Sequence, residues 1–233
     1  MKLVITKNNE KMSEAALQIL MGAMYRDGRV NISLTSGRSP KMLYQMMVPL
    51  VKDNPAFDQV QYYLFDDAPI IGREFGGNYY EMQELFFEPA NIDASKIHVP
   101  TMENWKTYDA MIANDGGIDV MAIGLGFDGH FCGNLPKITP IDALTYIVSR
   151  EETHALNPVY GKNENQPFLI TMGPQSIMRV KHLVMIVNGK EKAEILQRFL
   201  TEPISVENPS TLLRLHPNLT VLVDQEAAAL IQS

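Results

Sequence analysis

Residues 116–134 read GGIDVMAIGLGFDGHFCGN and contain the most apolar run of the chain, Ile118–Leu125. Apolar residues occupy consecutive positions in this run rather than alternate ones. That pattern is typical of a strand covered by helices on both faces of a parallel sheet. The segment therefore predicts an α/β fold.

Similar apolar runs occur elsewhere in the chain, separated by segments with helical periodicity, and this alternation predicts βαβ units. The other predicted strands are Leu3–Thr6, Val30–Thr35, Val60–Phe65, His182–Val187 and Leu219–Val223. The predicted helices are Met12–Tyr25, one beginning at Ser39 or Pro40, Lys190–Leu200 and Gln225–Ile231. We expect a Rossmann-like, three-layer α/β/α sandwich with a mostly parallel sheet. Residues 135–166 lack steady periodicity and predict an irregular flap.

Length and charge limit the classes of protein that fit. The 233 residues suit one large core, so we expect a single domain over residues 1–233. A net charge of −7 without a Lys/Arg cluster argues against binding to nucleic acid or to an anionic membrane. The sequence shows no membrane span and no signal peptide, and the one cysteine, Cys132, fits a reducing compartment. We therefore expect a cytoplasmic protein.

The segment TSGRSP, Thr35–Pro40, lies between a predicted strand and a predicted helix. Gly37 allows a sharp turn, the helix N-terminus offers unpaired N–H groups, and Arg38 adds a positive charge. With the hydroxyls of Ser36 and Ser39, these groups suit a phosphate. A capped turn with a surface arginine explains the pattern equally well. The spacing is neither a Walker motif nor a dinucleotide fingerprint.

Asp66 and Asp67 directly follow the predicted strand Val60–Phe65. This strand should end at the same edge of the sheet as the strand before Thr35–Pro40. Two adjacent carboxylates in a cleft repel each other, and this raises the pKa of one of them toward the range of a general base. A turn or helix-capping role is the alternative, and it is favoured for an isolated Asp-Asp pair.

The glycine-rich loop Gly124–Asn134 presents Asp128 and His130 close together. A carboxylate beside an imidazole fixes its tautomer and raises its basicity, which suits proton transfer to a sugar oxygen. The alternative is a tight Asp-Gly turn with an incidental histidine. Cys132 and His130 have no companion ligand pair at the usual spacing, so we expect no metal.

Together these segments resemble the glucosamine-6-phosphate deaminase/6-phosphogluconolactonase superfamily, in particular its deaminase-like branch of glucosamine- and galactosamine-6-phosphate isomerases. The resemblance runs in the family's order through TSGRSPKMLY, YLFDDAPIIG, GNYYEMQELFFEPANIDASKIHVP, GGIDVMAIGLGFDGHFCGN, ITMGPQSIM, NGKEKAEIL and LLRLHPNLTVLVD. It implies the sugar-phosphate isomerase/CoA-transferase-like variant of the sandwich, a catalytic domain that binds a phosphorylated sugar, and no metal or organic cofactor. A homo-oligomer is compatible with the sequence, which does not fix the oligomeric state.

The resemblance also implies roles for individual residues. The residues that would hold the phosphate are Ser36, Gly37, Arg38, Ser39 and Lys192. His130 would help to open the pyranose ring, and Asp66 would remove the proton at C2 to form an enolamine. Asp128 would assist proton transfer as ammonia leaves. Asp67 would stand beside the catalytic aspartate, where the family usually has a glutamate.

Leu135 departs from the family pattern, because deaminases carry a glutamate at this position that pairs with the histidine during ring opening. Residues 155–166 also lack an arginine to match the second phosphate-binding arginine of deaminases. Hexosamine-6-phosphate isomerase/deaminase activity nevertheless remains the main prediction, because two arginines typical of lactonases are missing. The presence of Asp66, Asp128 and His130 argues against a non-catalytic protein.

Two alternatives stay open. A 6-phosphogluconolactonase needs no such glutamate, and Leu135 and Asn78 favour it. Ala68 and Leu169 oppose it, because lactonases carry arginines at or near these positions. A non-catalytic sugar-phosphate sensor would keep the phosphate site and lack turnover.

Overall fold

A computed structural model describes residues 1–149, 151–152 and 165–231. Its strands are β1 (Lys2–Thr6), β2 (Val30–Ser33), β3 (Val60–Tyr63), β4 (Asp66–Asp67), β5 (Ile97–His98), β6 (Val120–Ile123), β7 (Tyr146–Ser149), β8 (Phe168–Thr171), β9 (Leu183–Val187) and β10 (Leu219–Asp224). Its α-helices are α1 (Asn9–Met24), α2 (Lys41–Val51), α3 (Gly77–Met82), α4 (Trp105–Asn114), α5 (Pro174–Ile177) and α6 (Ala193–Thr201).

In the described part of the chain, seven strands form a parallel sheet in the order β1-β10-β9-β6-β2-β3-β5. Strand β6 is apolar at consecutive positions because both of its faces are buried. Val120 and Ala122 belong to a buried cluster with side chains of α1 and α2. Met121 and Ile123 belong to a second cluster with side chains of α4 and α6. The predicted α/β/α sandwich is confirmed.

The order of strands creates a crevice between β2 and β6. The two strands are neighbours, but the chain continues from β2 toward β3 and β5 and from β6 toward β9 and β10. At such a switch point the connections diverge and leave a crevice beyond the carboxyl ends of the strands. Segments 35–40 and 124–134 follow β2 and β6, so both reach this crevice.

A smaller sheet with the order β4-β8-β7 was not predicted from the sequence. Asp66 and Asp67 pair antiparallel with Thr171 and Ile170 of β8, and β7 pairs with the same strand. The prediction that residues 135–166 are irregular throughout is therefore wrong for β7. Residues 150 and 153–164 of the predicted flap lie outside the described residues.

The helix boundaries differ from the prediction at several points. The predicted helix Lys190–Leu200 is a 3₁₀ helix over Lys190–Lys192 followed by α6. Helix α1 begins at Asn9, because the side chain of Asn8 caps it by accepting a hydrogen bond from the N–H of Lys11 at 2.9 Å. Helix α2 begins at Lys41, with Pro40 as its N-cap. Residues 225–231 form turns instead of a helix. There the carboxylate of Asp224 accepts the N–H of Ala227 and fixes the first turn.

No helix among the described residues combines the length and the apolar character needed to cross a membrane.

Candidate active site

The crevice contains a cavity of ≈ 520 Å³ that all three predicted loops enter. Segment 35–40 lines one end, Asp66 and Asn78 line a wall, and His130 lies in the glycine-rich loop. Lys192, from the turn after β9, also lines the cavity. Most of the predicted site residues therefore line one cavity. Asp67 and Asp128 do not line it.

The loop after β2 has several features that suit an anion. Gly37 has a φ of 92°, a left-handed conformation that favours glycine. The hydroxyl of Tyr44 donates a 2.5 Å hydrogen bond to the carbonyl of Thr35, which ties the loop to α2. The first turn of α2 directs unpaired N–H groups and a partial positive charge toward the loop. Arg38 adds a full charge at the same end of the cavity.

Lys192 lines the same cavity, close enough to Arg38 for the two charges to interact. It is 9% exposed, and its Nζ donates a 2.5 Å hydrogen bond to the carbonyl of Leu125. The same Nζ lies 3.5 Å from the centre of the Phe127 ring. The pKa of Lys192 is lowered to about 8, mainly by burial; Glu191 and Asp128 oppose this shift, and the charge of Arg38 adds to it. A bound phosphate dianion would stabilise both cations.

Asp66 is the carboxylate on the cavity wall. Burial raises its pKa to about 7, a value suited to a general base at neutral pH. The side-chain amide of Asn78 donates a 2.7 Å hydrogen bond to its Oδ1 and opposes that rise. The charge of Asp67 contributes less than burial does. The sequence-based explanation of the pKa by repulsion between the two aspartates was therefore wrong about the main cause.

Asp67 organises the loop behind Asp66. It is 1% exposed, and its Oδ2 accepts the N–H of Gly76 at 2.7 Å. Its Oδ1 accepts the N–H groups of Ala68, Asn78 and Tyr79 at 2.9, 3.0 and 3.3 Å. These bonds fix the start of α3 and hence the amide that contacts Asp66. Asp67 is therefore a positioning residue in this structure.

His130 and Asp128 form the pair expected from the sequence. The Nδ1 of His130 lies 2.6 Å from the Oδ1 of Asp128, which also accepts the backbone N–H of His130 at 3.0 Å. Burial alone would raise the pKa of Asp128, but the hydrogen bonds and charge of His130 lower it overall. Asp128 is thus held as a carboxylate that orients the imidazole.

The glycine at 126 makes room for this imidazole. A Cβ atom placed on Gly126 would lie 2.1 Å from the Nδ1 of His130. The N–H of Gly126 also donates to the carbonyl of His130 at 2.8 Å. A glycine at position 126 is therefore a packing requirement of the histidine.

Leu135 is 3% exposed and does not line the cavity, so it supplies no substitute for the family's glutamate. The neighbouring Asn134 is fully buried, and its side chain donates to the carbonyl of Met172 at 2.9 Å. The segment that lacks the expected arginine, residues 155–166, lies mostly outside the described residues. Among the described residues, no cluster of His, Cys, Asp and Glu has the arrangement of a metal site.

Sequence reasoning gave no role to several groups that shape the cavity. Asn78 and Leu169 served only to compare deaminase with lactonase, and Cys132 only as a sign of a reducing compartment and as a rejected metal ligand. In the structure these three residues and Phe127 line the cavity. The thiol of Cys132 has a pKa raised by burial and by the nearby Asp66. No local pattern in the sequence indicates these contacts, because each joins segments that are far apart in the chain.

Comparisons with known proteins identify the family of the chain. A family model described as glucosamine-6-phosphate isomerases/6-phosphogluconolactonase matches residues 6–222. The chain belongs to this family. The resemblance seen in the sequence is therefore confirmed.

Relatives within the family match over nearly their full length. A glucosamine-6-phosphate deaminase of Shouchella clausii is 32% identical over 240 residues, which cover 98% of this chain and 97% of the relative. A second, from Thermoanaerobacter pseudethanolicus, is 31% identical over 242 residues, which cover 99% and 95%.

Solved structures in the family share the fold. One described as a monomeric glucosamine-6-phosphate deaminase has a TM-score of 0.86 at 25% identity, with coverage of 99% of this chain and 100% of that chain. A 6-phosphogluconolactonase from Leishmania guyanensis has a TM-score of 0.76 at 18% identity, with coverage of 100% and 99%. The latter likeness is one of fold alone.

Proposed function

We propose that the protein is a hexosamine-6-phosphate isomerase/deaminase, acting on glucosamine 6-phosphate or galactosamine 6-phosphate. The proposed reaction converts the amino-sugar phosphate and water into a ketose 6-phosphate and ammonia. The family relatives named above as glucosamine-6-phosphate deaminases support this assignment.

One observation carries the proposal. A carboxylate with a pKa of about 7, that of Asp66, shares a cavity with an aspartate-oriented imidazole, and cationic groups lie at one end. A base that removes a proton α to a carbonyl needs a pKa near the working pH. The cations at the end of the cavity suit a phosphate on the far carbon of a sugar chain.

In the proposed mechanism, the phosphate is held by Arg38, Lys192 and the loop Ser36–Ser39. His130 moves a proton between the ring oxygen and the anomeric hydroxyl to open the pyranose ring. Asp66 then removes the proton at C2, and the electron pair forms an enolamine.

Protonation of the enolamine at C1 and hydrolysis at C2 release ammonia. Asp128 supports these proton transfers by keeping His130 in one orientation. Residues 1–233 act as a single catalytic domain in this scheme. The one cysteine is consistent with a reducing, cytoplasmic location.

The decisive experiment is ammonia release by the purified protein with glucosamine 6-phosphate and galactosamine 6-phosphate in parallel. The expected result is ammonia and the ketose 6-phosphate from at least one sugar, and loss of both products in Asp66→Asn. Asp58→Asn is the control, because Asp58 is exposed and remote from the cavity.

Leu135 makes 6-phosphogluconolactone hydrolysis the second candidate, because that reaction needs no glutamate beside the histidine. Hydrolysis of the lactone without ammonia release would replace the proposed function with this one. Binding of sugar phosphates without turnover of any of these substrates would favour a sensor.

A further inference from the structure

Phe127 occupies an unusual position for a large apolar residue. Its side chain lies in the glycine-rich loop, lines the cavity and is 53% exposed. It belongs to neither of the two buried clusters of the sandwich, so core packing does not explain it. The Nζ of Lys192 makes a cation–π contact with its ring, 3.5 Å from the ring centre.

This contact places the ammonium group over the electron-rich face of the ring, where a cation is attracted. The same Nζ also donates a 2.5 Å hydrogen bond to the carbonyl of Leu125, two residues before Phe127. An ammonium group has three N–H donors on a flexible stem. One loop thus restrains the amine on two sides before any ligand binds.

We propose that Phe127 is a positioning residue that holds Lys192 ready for the phosphate of the substrate. The inference rests on the proposed function, since it assigns Lys192 to the phosphate of a sugar. Without the ring, the lysine stem would gain rotamers that must be frozen on binding, and the amine would lose the aromatic face that favours its charged form.

The test is the affinity of the intact protein for inorganic phosphate and for glucose 6-phosphate, measured by titration calorimetry. Phe127→Leu keeps an apolar side chain without an aromatic face and should weaken both affinities roughly threefold to tenfold. Phe127→Trp should restore them, because indole is the best cation–π partner. Tyr25→Leu, which removes a 61% exposed ring outside the cavity, should change neither affinity.

A pH series separates positioning from simple packing. The charged groups acting on Lys192 are Arg38, Glu191 and Asp128, and all three remain in Phe127→Leu. Loss of the ring alone should therefore move the alkaline loss of phosphate affinity to lower pH. In turnover assays with an amino-sugar phosphate, KM should rise while kcat stays within about twofold.

The outcomes distinguish the two levels of the proposal. Equal phosphate affinity and an equal pH profile in the parent and Phe127→Leu would overturn this inference and leave the proposed function intact. Tighter binding in Phe127→Leu would overturn it too, because the ring would then hold the amine away from the ligand. A parent protein that binds neither phosphate nor glucose 6-phosphate would overturn this inference, while ammonia release decides the proposed function separately.

Discussion

The carboxylate of Glu81 accepts a hydrogen bond from the backbone N–H of Gly37 at 3.2 Å, inside the loop that we assign to the substrate phosphate. An anionic side chain there uses a donor that a phosphate would need, and its charge repels the dianion. We expect Glu81→Gln to lower the KM for phosphorylated sugars roughly threefold to tenfold, without a similar gain for the unphosphorylated sugar.

Glu84→Gln is the matched control, because Glu84 is exposed in the same segment and does not line the cavity. A raised KM in Glu81→Gln would contradict the prediction and assign Glu81 to support of the loop.

The hydrogen bond from Asn78 to Asp66 predicts a change in pH dependence. If ionised Asp66 is the base, activity should rise as pH increases through about 7, the pKa of its carboxyl group. The Asn78 amide lowers that pKa, so Asn78→Ala should shift the acid limb of the kcat/KM profile to higher pH. Asn218→Ala, which removes an amide bonded to the carbonyl of Lys181 outside the cavity, should leave the profile in place.

The same carboxylate should reduce stability. An aspartate in an unfolded chain has a pKa of about 3.9, whereas burial raises that of Asp66 to about 7 in the folded protein. Between these values the unfolded state has released the proton and the folded state has kept it. The free energy of unfolding therefore falls as pH rises from about 4 to about 7 and stays lower above that range.

Asp66→Asn should remove this penalty and stabilise the inactive variant at pH 8 by an amount on the order of 1 kcal/mol, measured by urea denaturation. Asp67→Asn is the contrasting variant. Both of its carboxylate oxygens accept backbone N–H groups, so an amide nitrogen must face a donor and stability should fall. Equal losses in the two variants would refute the separation of their roles.

Gly126→Ala should damage catalysis through the histidine. The new methyl group would lie 2.1 Å from the Nδ1 of His130, which must then move away from Asp128. We expect kcat to fall about 100-fold, the lower end of what acid–base catalysis contributes. Gly22→Ala in α1 adds a methyl group with no atom within 4 Å and should leave kcat unchanged.

Six strands of the large sheet were predictable because they contain apolar runs, such as LVMIV of β9. Strand β5, Ile97–His98, was missed because it has only two residues and no apolar run. The small sheet was not predictable. Strand β4 has two residues, both aspartates, and β7 follows a segment rich in turns. The pairing of β4 with β8 joins Asp66 and Asp67 to Thr171 and Ile170, which lie far away in the chain. No local pattern in the sequence indicates such a contact.

The convergence of the three loops at the cavity was predictable, since the carboxyl ends of parallel strands share one edge. The different roles of Asp66 and Asp67 were not predictable. They depend on four backbone N–H groups that donate to Asp67, those of Ala68, Gly76, Asn78 and Tyr79. The contact between Lys192 and Phe127 likewise depends on how two loops are placed in space. The order of strands and loops in the sequence therefore predicts which loops form the site. The long-range contacts of each side chain depend on tertiary packing and were not predictable.

Asp66 belongs to the small sheet, whereas the phosphate loop and the histidine loop follow strands of the large one. In evolutionary terms, the proposed phosphate loop and the proposed base can vary separately, because Asp66 is held by pairing with β8 in the small sheet. Substitutions in the small sheet can alter the reaction at the sugar's first two carbons while the phosphate stays anchored. Such an arrangement gives a lineage a route to new sugar-phosphate chemistry without rebuilding its binding site.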